Sequence, residues 1–297
     1  MSKPTPRLIK TVFRAAESFD GDGARVKRII GSQQLRTLDP FLMLDEFNVH
    51  PPAGFPSHPH RGQETLTYML EGEFTHADNK GNSGSIFAGD YQKMTAGNGV
   101  IHSEVPGPNG GRGFQMWINL PAASKRIESS YQDRKASEIP IFTSKNNDYN
   151  VIVVAGQYHD YQEPESEAID SGCDYIHKFT ALVINLNNKN NKFTYQIPDD
   201  DSTAYLYIFE GEASVANNKF SKSTAVIFEK GHENSYKNDN LIEIQAISDE
   251  TKIWLCHSRP IGEPVSWRGP FVMNTEEEIM ETMAMYRSGK KPFQPIK

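Results

Sequence analysis

Two short stretches, His58-Pro-His-Arg-Gly-Gln-Glu-Thr65 and Met94-Thr-Ala-Gly-Asn-Gly-Val-Ile-His-Ser-Glu104, carry the main clues to the fold and chemistry of this chain. The first contains a His-x-His pair at positions 58 and 60, and the second a His-x-Glu pair at positions 102 and 104. In a β-strand, residues i and i+2 point to the same face, so each pair can aim two ligands at one point. If the two strands lie close together in a barrel, three imidazoles and one carboxylate converge. Such a ligand set suits a first-row divalent metal ion.

Around these stretches, the chain consists mainly of short runs rich in Val, Ile, Phe, Tyr and Thr, separated by Gly, Asn and Asp. Runs at this spacing predict an all-β sandwich or barrel. The clearest predicted strands are 65–70, 115–120, 151–155, 181–186, 204–209 and 225–228. One short helix is predicted near the C-terminus, where Thr275 and Glu278 match a capping box. Ile279, Met283 and Tyr286 then fall at i, i+4 and i+7 and form an apolar stripe.

A faint internal repeat suggests two copies of one β domain. Residues 68–73 (YMLEGE) resemble residues 207–212 (YIFEGE), and the two copies lie about one domain length apart. In each copy an apolar strand runs into Glu-Gly, a turn and a second strand. We therefore expect an N-terminal domain over 1–145 and a C-terminal domain over 146–297 that carries the helix. The boundary is expected in the polar stretch 143–149 or in the acidic stretch 161–174.

The composition excludes several classes of protein. Hydrophobic residues make up 37% of the 297 residues, which is ordinary globular usage, and the net charge of −7 disfavours direct nucleic-acid binding. No apolar run approaches the roughly 20 residues needed to span a bilayer, and the first ten residues do not resemble a signal peptide. With only Cys173 and Cys256, a disulfide framework is excluded, so a cytoplasmic location is expected. Nothing resembles a coiled-coil seam, so we expect a monomer.

The two opening stretches belong to a wider pattern that resembles the cupin superfamily and, within it, the pirin family. Residues 54–72 (GFPSHPHRGQETLTYMLEG) are close to the first cupin motif, and residues 89–102 (GDYQKMTAGNGVIH) resemble the second. Residues 115–120 (QMWINL) and 269–274 (GPFVMN) are also similar to segments of pirins. The resemblance runs from about residue 20 to about residue 290. It implies an all-β bicupin of two jelly-roll-like barrel or sandwich domains, with a metal site in the N-terminal one.

Carried over residue by residue, the resemblance implies four metal ligands: His58, His60, His102 and Glu104. Ordinary cupins use the carboxylate of the first motif, here Glu64, whereas pirins place the ligating carboxylate in the second motif. Glu64 is therefore expected either beside the ligands or as a buried, hydrogen-bonded group. Arg61 is expected beside the ligands or in a surface turn. Gln63 departs from the pattern, because many pirins carry an aromatic residue at this position.

The second domain lacks a corresponding ligand set. Aligning the Glu-Gly turns of the repeat places Ile197 and Asp199 at the positions of the His-x-His pair. His232 and His257 are isolated, and we expect them at the surface or in the core. The C-terminal domain is therefore predicted to be metal-free. A second His-x-acid pattern in the N-terminal half, His76-Ala-Asp78, is expected from chance alone.

Four protein ligands around an octahedral ion leave about two open positions, which indicates a reactive centre. The resemblance to pirins implies one divalent first-row ion, Fe(II) first among them, and quercetin 2,3-dioxygenase activity on a flavonol-like substrate and O2. Glu104 would balance the charge of the ion and take the substrate proton as a general base. The expected pocket walls are Asp45, Phe47, Phe55, Met69, Gln115 and Trp117.

An alternative function comes from the association of pirins with transcriptional co-regulation in nuclei. In that case the iron would act as a redox switch without turnover, and its oxidation would change the affinity for a protein partner. Arg25, Lys27 and Arg28 could supply a basic docking patch, although charge runs are usually solvated. A purely structural metal is a third alternative, and the open coordination positions argue against it.

Overall fold

The computed structural model describes residues 6–162, 166–198, 202–230 and 240–294. These residues form two compact units. The first unit combines residues 17–138 with residues 261–297, and the second combines residues up to 16 with residues 139–260. Strands dominate both units, and the described part of the chain contains a single α-helix. The all-β prediction with one C-terminal helix is therefore confirmed.

The strands follow one another along the whole described chain. In chain order they are β1 (Ile9–Arg14), β2 (Glu17–Asp20), β3 (Ala24–Ile30), β4 (Phe41–Val49), β5 (Phe55–His60), β6 (Gln63–Asp78), β7 (Ser83–Phe87), β8 (Tyr91–Thr95), β9 (Val100–Asn119), β10 (Ser130–Arg134), β11 (Ile141–Thr143), β12 (Tyr149–Ala155), β13 (Gln157–Tyr158), β14 (Ile169–Asp170), β15 (Phe179–Leu186), β16 (Lys192–Gln196), β17 (Thr203–Glu210), β18 (Glu212–Val215), β19 (Asn218–Ser221), β20 (Thr224–Phe228), β21 (Leu241–Ala246), β22 (Thr251–Ser258), β23 (Ser266–Arg268) and β24 (Phe271–Met273). The helix α1 spans Glu276–Arg287, and short 3-10 turns lie at Ala122–Ser124 and Ala136–Glu138.

In the first unit, two long strands organise a nine-stranded sheet. Its order is β10-β8-β6-β9-β4-β3-β2, with β5 paired to β9 and β7 paired to β6. Strands β6 and β9 pair antiparallel along two stretches, 63–72 with 111–119 and 74–78 with 102–106. The sheet is sandwich-like and does not close into a barrel. Both predicted ligand pairs therefore lie in one continuous hydrogen-bonded sheet.

The second unit is a sandwich with a filled interior. A seven-stranded sheet has the order β1-β20-β17-β22-β15-β12-β11, and a four-stranded sheet has the order β16-β21-β18-β19. Alternate residues of these strands form one large apolar core that includes Tyr149, Phe193, Leu206, Ile244 and Leu255. Burying one face of each sheet explains the alternating pattern of apolar and polar residues.

All six predicted strands are confirmed. They fall on β6, β9, β12, β15, β17 and β20, and only Leu120 lies beyond the end of its strand. The long β6 and β9 extend far past the predicted segments, because each continues through a bend and pairs again. Sequence periodicity finds the strand centres, whereas the pairing partners determine where the strands end.

The predicted helix is confirmed together with its capping box. The Thr275 side chain accepts from the Glu278 backbone amide, and the Glu278 side chain accepts from the Thr275 backbone amide. Of the predicted stripe, Ile279 is fully buried and Met283 packs beside it. The ring of Tyr286 lies 5.5 Å from the ring of Phe293. The stripe thus docks the helix onto the first unit.

The expected boundary at residue 145 does not match the two compact units, because the chain ends are exchanged between them. Strand β1, near the N-terminus, pairs with β20 and belongs to the second unit. Residues 261–297, which include α1, belong to the first unit, where the backbone amide of Val272 donates to the carbonyl of Arg61. These pairings join residues that are far apart in sequence. The compact units therefore divide the chain differently from a single cut in the sequence.

Cys173 and Cys256 are both free, and Cys256 is fully buried. Among the described residues, no helix is long and apolar enough to cross a membrane.

The internal repeat corresponds to one turn geometry used twice. Gly72 and Gly211 follow the two Glu residues of the repeat with φ of 74° and 71°, in the left-handed region that favours glycine. A Cβ atom on residue 72 would lie 2.1 Å from the carbonyl oxygen of Gly110. Gly72 therefore permits both the backbone angle and the close approach of β6 to β9.

We predict that Gly72→Ala is more destabilising than Gly81→Ala, which serves as the matched control. Gly81 also has a positive φ, but a Cβ there would meet no atom within 4 Å. The control should lose about 1–2 kcal/mol from backbone strain, and Gly72→Ala should lose about 1–3 kcal/mol more from overpacking. Urea denaturation of both variants measures the difference. Equal losses would show that the approach of the two strands does not depend on Gly72.

Candidate metal centre

Strand pairing brings three imidazoles together. Strand β5 pairs antiparallel with the beginning of β9, so that His58 lies opposite His102 and His60 lies opposite Val100. The ring centroids are 4.5 Å apart for His58 and His102, 4.8 Å for His58 and His60, and 5.0 Å for His60 and His102. One ligand nitrogen from each ring lies within 4.8 Å of the others. Among the described residues, this is the only such group of three or more His, Cys, Asp or Glu side chains.

The hydrogen bonds of these rings fit a metal ion. His58 Nδ1 lies 2.7 Å from the carbonyl oxygen of Pro56, so Nδ1–H donates and Nε2 keeps its lone pair. His102 is buried, and neither of its ring nitrogens has a hydrogen-bond partner within the described structure. An unpartnered buried nitrogen is costly, and a metal ion would supply the missing partner. Imidazole nitrogens are common ligands of first-row divalent ions.

Burial also keeps the imidazoles in the form that binds metals. Desolvation lowers the pKa of His60 and of His102 well below the ordinary value, and the neighbouring imidazoles lower each pKa further. Both rings are therefore neutral at physiological pH, and a metal ligand must be unprotonated.

Glu104 lines a cavity together with His58 and His60, but it lies outside the close group of three rings. Its carboxylate is buried and accepts from Gln115 Nε2 at 3.2 and 3.3 Å and from Thr67 Oγ1 at 3.4 Å. Burial raises the pKa of Glu104, and its hydrogen bonds oppose that shift. A carboxylate in this setting can balance positive charge or accept a proton.

Glu64 is buried and hydrogen-bonded away from the cavity, which was one of the two expected placements. It accepts from Thr95 Oγ1 at 2.7 Å and lies 3.1 Å from Lys93 Nζ. Successive residues of a strand point to opposite faces, so Glu64 points away from the side of β6 that carries Gln63 and Thr67. The alternation of β6 thus directs the carboxylate of the first motif toward β8.

Arg61 does not lie in a surface turn. Its side chain is buried, and Nη1 lies 3.0 Å from the sulfur of Met285 in α1. The Nε atom has no hydrogen-bond partner within the described structure, and burial lowers the pKa of the guanidinium. Arg61 thus packs against the helix and does not line the cavity.

His58 and His60 open onto a cavity of about 1410 Å³, whereas His102 is buried behind them and does not line it. Five of the six residues expected in the pocket wall line it: Asp45, Phe47, Phe55, Gln115 and Trp117. Met69 does not line it and is instead fully buried in the apolar cluster behind this wall, beside Phe47 and Phe74. The ring of Trp117 meets the ring of His60 edge to face at 4.9 Å. One cavity wall is therefore aromatic close to the imidazoles.

Sequence reasoning missed the contribution of residues 261–275, which we call the C-terminal strap. Val265, Trp267 and Pro270 of the strap line the cavity. The ring of Trp267 lies 6.1 Å from that of Trp117. The strap was expected in the other domain, and no local pattern links it to the histidine motifs. Its resemblance to pirins at 269–274 was the only available signal.

Sequence reasoning also did not place His76 and Asp78 near the predicted ligands. The pairing of β6 with β9 places His76 opposite Glu104 and Asp78 opposite His102, so the chance pattern lies beside the predicted ligands. His76 is buried, stacks on Tyr131 with ring centroids 5.6 Å apart, and lies 3.6 Å from the Asp133 carboxylate. The available signal was the same i, i+2 alternation that identified the ligand pairs.

The proposed basic patch is neutralised by ion pairs. Arg25 lies 2.8 Å from Glu17, Lys27 lies 3.5 Å from Glu46, and Arg28 binds Asp45 at 2.7 Å. Arg28 also pairs with Asp20 and lines the cavity. Burial raises the pKa of Asp45 to about 6, although Arg28 opposes the shift. Arg28 therefore belongs to the cavity wall, and each of the three cations has an acidic partner.

The second unit uses the corresponding position for apolar packing. Ile197 is buried in its core, whereas Asp199 and His232 lie outside the described residues. His257 is buried, with Nε2 2.9 Å from the hydroxyl of Tyr195. Burial lowers the pKa of His257 to about 3, so this ring is a neutral core residue. His257 therefore lies in the core, which was one of its two expected placements.

Comparison with known proteins identifies the family. Residues 23–118 match the model for Pirin, and residues 182–292 match the model for the Pirin C-terminal cupin domain. The chain belongs to the pirin family. It is 40% identical to Pirin-like protein 2 of Arabidopsis thaliana over 98% of this chain and 87% of that protein. Its two units are cupin domains, and the expected bicupin fold is confirmed.

Two further relatives of this pirin carry the name of an enzyme. A Pseudomonas aeruginosa protein named provisionally as a quercetin 2,3-dioxygenase is 35% identical over 91% of this chain and 93% of its own length. The crystal structure of quercetin 2,3-dioxygenase from Acinetobacter baumannii superimposes with a TM-score of 0.85 and 30% identity, over 99% of this chain and all of that one. Most curated relatives are named only as pirins or pirin-like proteins.

We predict that the metal-free protein loses stability as pH falls below about 6.5. In the folded chain the pKa of His102 lies well below that of the unfolded chain, so the unfolded state binds more protons in acid. One such group lowers the free energy of unfolding by up to about 2 kcal/mol between about pH 7 and about pH 5. Urea denaturation should show a weaker pH dependence for His102→Gln than for the wild type. The exposed His159→Gln control should keep the full dependence, and equal slopes in all three proteins would contradict this assignment.

Proposed function

We propose that this pirin is a metal-dependent dioxygenase that uses Fe(II) to cleave quercetin-like flavonols with O2. The observation that carries the proposal is a group of three close imidazoles beside an aromatic-walled cavity. His58 and His60 line that cavity, and the buried nitrogens of His102 have no hydrogen-bond partner within the described structure. Open coordination positions distinguish a reactive centre from a closed structural one. The likeness to a quercetin 2,3-dioxygenase over the whole chain supports the same reaction class.

His58, His60 and His102 would hold the ion, with Glu104 as the fourth ligand. When bound, the ion supplies the redox chemistry that a flavonol needs to react with O2. The histidines contribute neutral nitrogens, because burial lowers the pKa of His60 and of His102. The Pro56 carbonyl holds the His58 ring in one orientation. A fixed ring orientation improves metal binding.

Glu104 is the general base of the proposed reaction. It takes the proton from the 3-hydroxyl of the flavonol, so that the substrate binds as an anion. Burial raises the pKa of this carboxyl, which brings it closer to the pH at which a base works well. Hydrogen bonds from Gln115 and Thr67 hold the carboxylate in place while it accepts the proton.

The cavity walls suit a flat aromatic substrate. Phe47, Phe55, Trp117 and Trp267 supply aromatic faces and edges on which flavonol rings can stack. These rings also reduce the access of water to the reacting atoms. Arg28 and Asp45 lie on the wall as a hydrogen-bonded pair and can orient the substrate hydroxyls. Ligand sites commonly combine apolar walls with a few polar groups.

The function is tested by loading the protein anaerobically with Fe(II) and then measuring O2 uptake, quercetin loss and carbon monoxide release. We expect one O2 consumed per quercetin in the wild type and in the exposed control His159→Ala. His60→Ala should lose both bound iron and turnover. Glu104→Gln should lower kcat about 100-fold or more, because removal of a general base commonly costs that much.

Metal analysis of each variant separates the possible outcomes. No O2 uptake by a wild-type protein with full iron occupancy would overturn the proposed reaction. Turnover by His60→Ala equal to that of the wild type would place the chemistry elsewhere. Unchanged kcat in Glu104→Gln would remove Glu104 from the role of base.

A further inference from the structure

Gln63, which departs from the family pattern, lies between a predicted metal ligand and the C-terminal strap. Its side chain is fully buried at the beginning of β6. The amide Nε2 lies 2.9 Å from His60 Nδ1 and 3.1 Å from the carbonyl oxygen of Pro270. The amide oxygen Oε1 is buried and has no hydrogen-bond partner within the described structure. A single side chain therefore contacts both the ligand and the cavity wall.

This orientation of the Gln63 amide matches one tautomer of His60. The amide NH2 group has two hydrogens, and each points to one acceptor, His60 Nδ1 and the Pro270 carbonyl. If Nδ1 accepts, the neutral ring carries its proton on Nε2. Nε2 is the nitrogen left for a metal ion, and a nitrogen that binds metal must be unprotonated. The hydrogen bonds of Gln63 thus favour the tautomer that does not bind metal.

His58 shows the opposite arrangement. The backbone carbonyl of Pro56 can only accept, so it holds the proton on Nδ1 and leaves Nε2 free. Ligand histidines generally donate their second ring N–H to such an acceptor. For His60, the acceptor within reach is the oxygen of the Gln63 amide, after the amide turns through about 180°. That turn removes the donor from the Pro270 carbonyl.

We propose that Gln63 is a positioning residue whose amide turns when the metal binds, accepts from His60 Nδ1–H and releases Pro270. The inference rests on the metal-binding part of the proposed function. It couples metal occupancy to the strap that carries Trp267 into the cavity wall. Because such coupling is reciprocal, the hydrogen bond from Gln63 to Pro270 opposes metal binding.

The first test is isothermal titration of the metal-free protein with Zn2+, with His60→Ala to define binding elsewhere. Gln63→Met and Gln63→Glu both remove the donor to Pro270, but only Glu can accept from Nδ1–H, so Gln63→Met should bind Zn2+ about 10- to 100-fold more weakly than Gln63→Glu. Gln63→Glu presents an acceptor without turning, so it should bind Zn2+ at least as tightly as the wild type. Gln92→Met is the matched control, because Gln92 is a buried amide that donates to Asp133 outside the cavity wall. Its affinity should stay within about two-fold of the wild type.

The second test is hydrogen–deuterium exchange of the wild type with and without Zn2+. Because it needs no variant, it still tests the proposal in the case that Gln63→Glu does not fold. We expect exchange over 269–274 to become several-fold faster on Zn2+ binding, because Pro270 is released. Equal affinities of Gln63→Met and Gln63→Glu for Zn2+ would overturn the role of Gln63 and leave the metal site intact. Unchanged exchange of the strap on Zn2+ binding would overturn the coupling. A wild type that binds no Zn2+ beyond the His60→Ala background would overturn both the metal site and this role.

Discussion

The antiparallel pairing of β5 with β9 is the constraint on which the rest of the site depends. It places His58 directly opposite His102, and the alternation of each strand adds His60 and Glu104 to the same region. A shift of either strand by one residue would turn two of these side chains to the opposite face. Gly72, in the left-handed conformation, permits the close approach of β6 to the more distant part of β9.

Burial then gives these residues their chemical character. It lowers the pKa of His60 and of His102 and raises the pKa of Glu104 and of Asp45, so histidines are neutral and carboxyls titrate closer to neutral pH. The second unit uses the same fold with a core of aromatic and aliphatic side chains. The two units therefore differ at the corresponding position, where the first carries the three imidazoles and the second carries apolar side chains.

The parts of the molecule that could be predicted from sequence are those with local signals. Strand alternation and the two His-containing pairs are short-range patterns, and the capping box of α1 lies within four residues. The contribution of Trp267 and Pro270 could not be derived in this way, because the strap reaches the cavity through pairing with residues far away in sequence. His76 was set aside because one His-x-acid pair is expected by chance, and only the register of β6 with β9 reveals its position. Met69 was expected in the pocket, but it packs in the neighbouring apolar cluster.

The central claim is that His58, His60 and His102 form one metal centre in the first cupin unit. Anomalous X-ray diffraction at the iron edge, from crystals of Fe(II)-loaded protein, tests it directly. The account predicts one anomalous peak per chain, within about 2.0–2.2 Å of a nitrogen of each of the three rings. A peak at another position, or full iron loading with no peak at these rings, would contradict it.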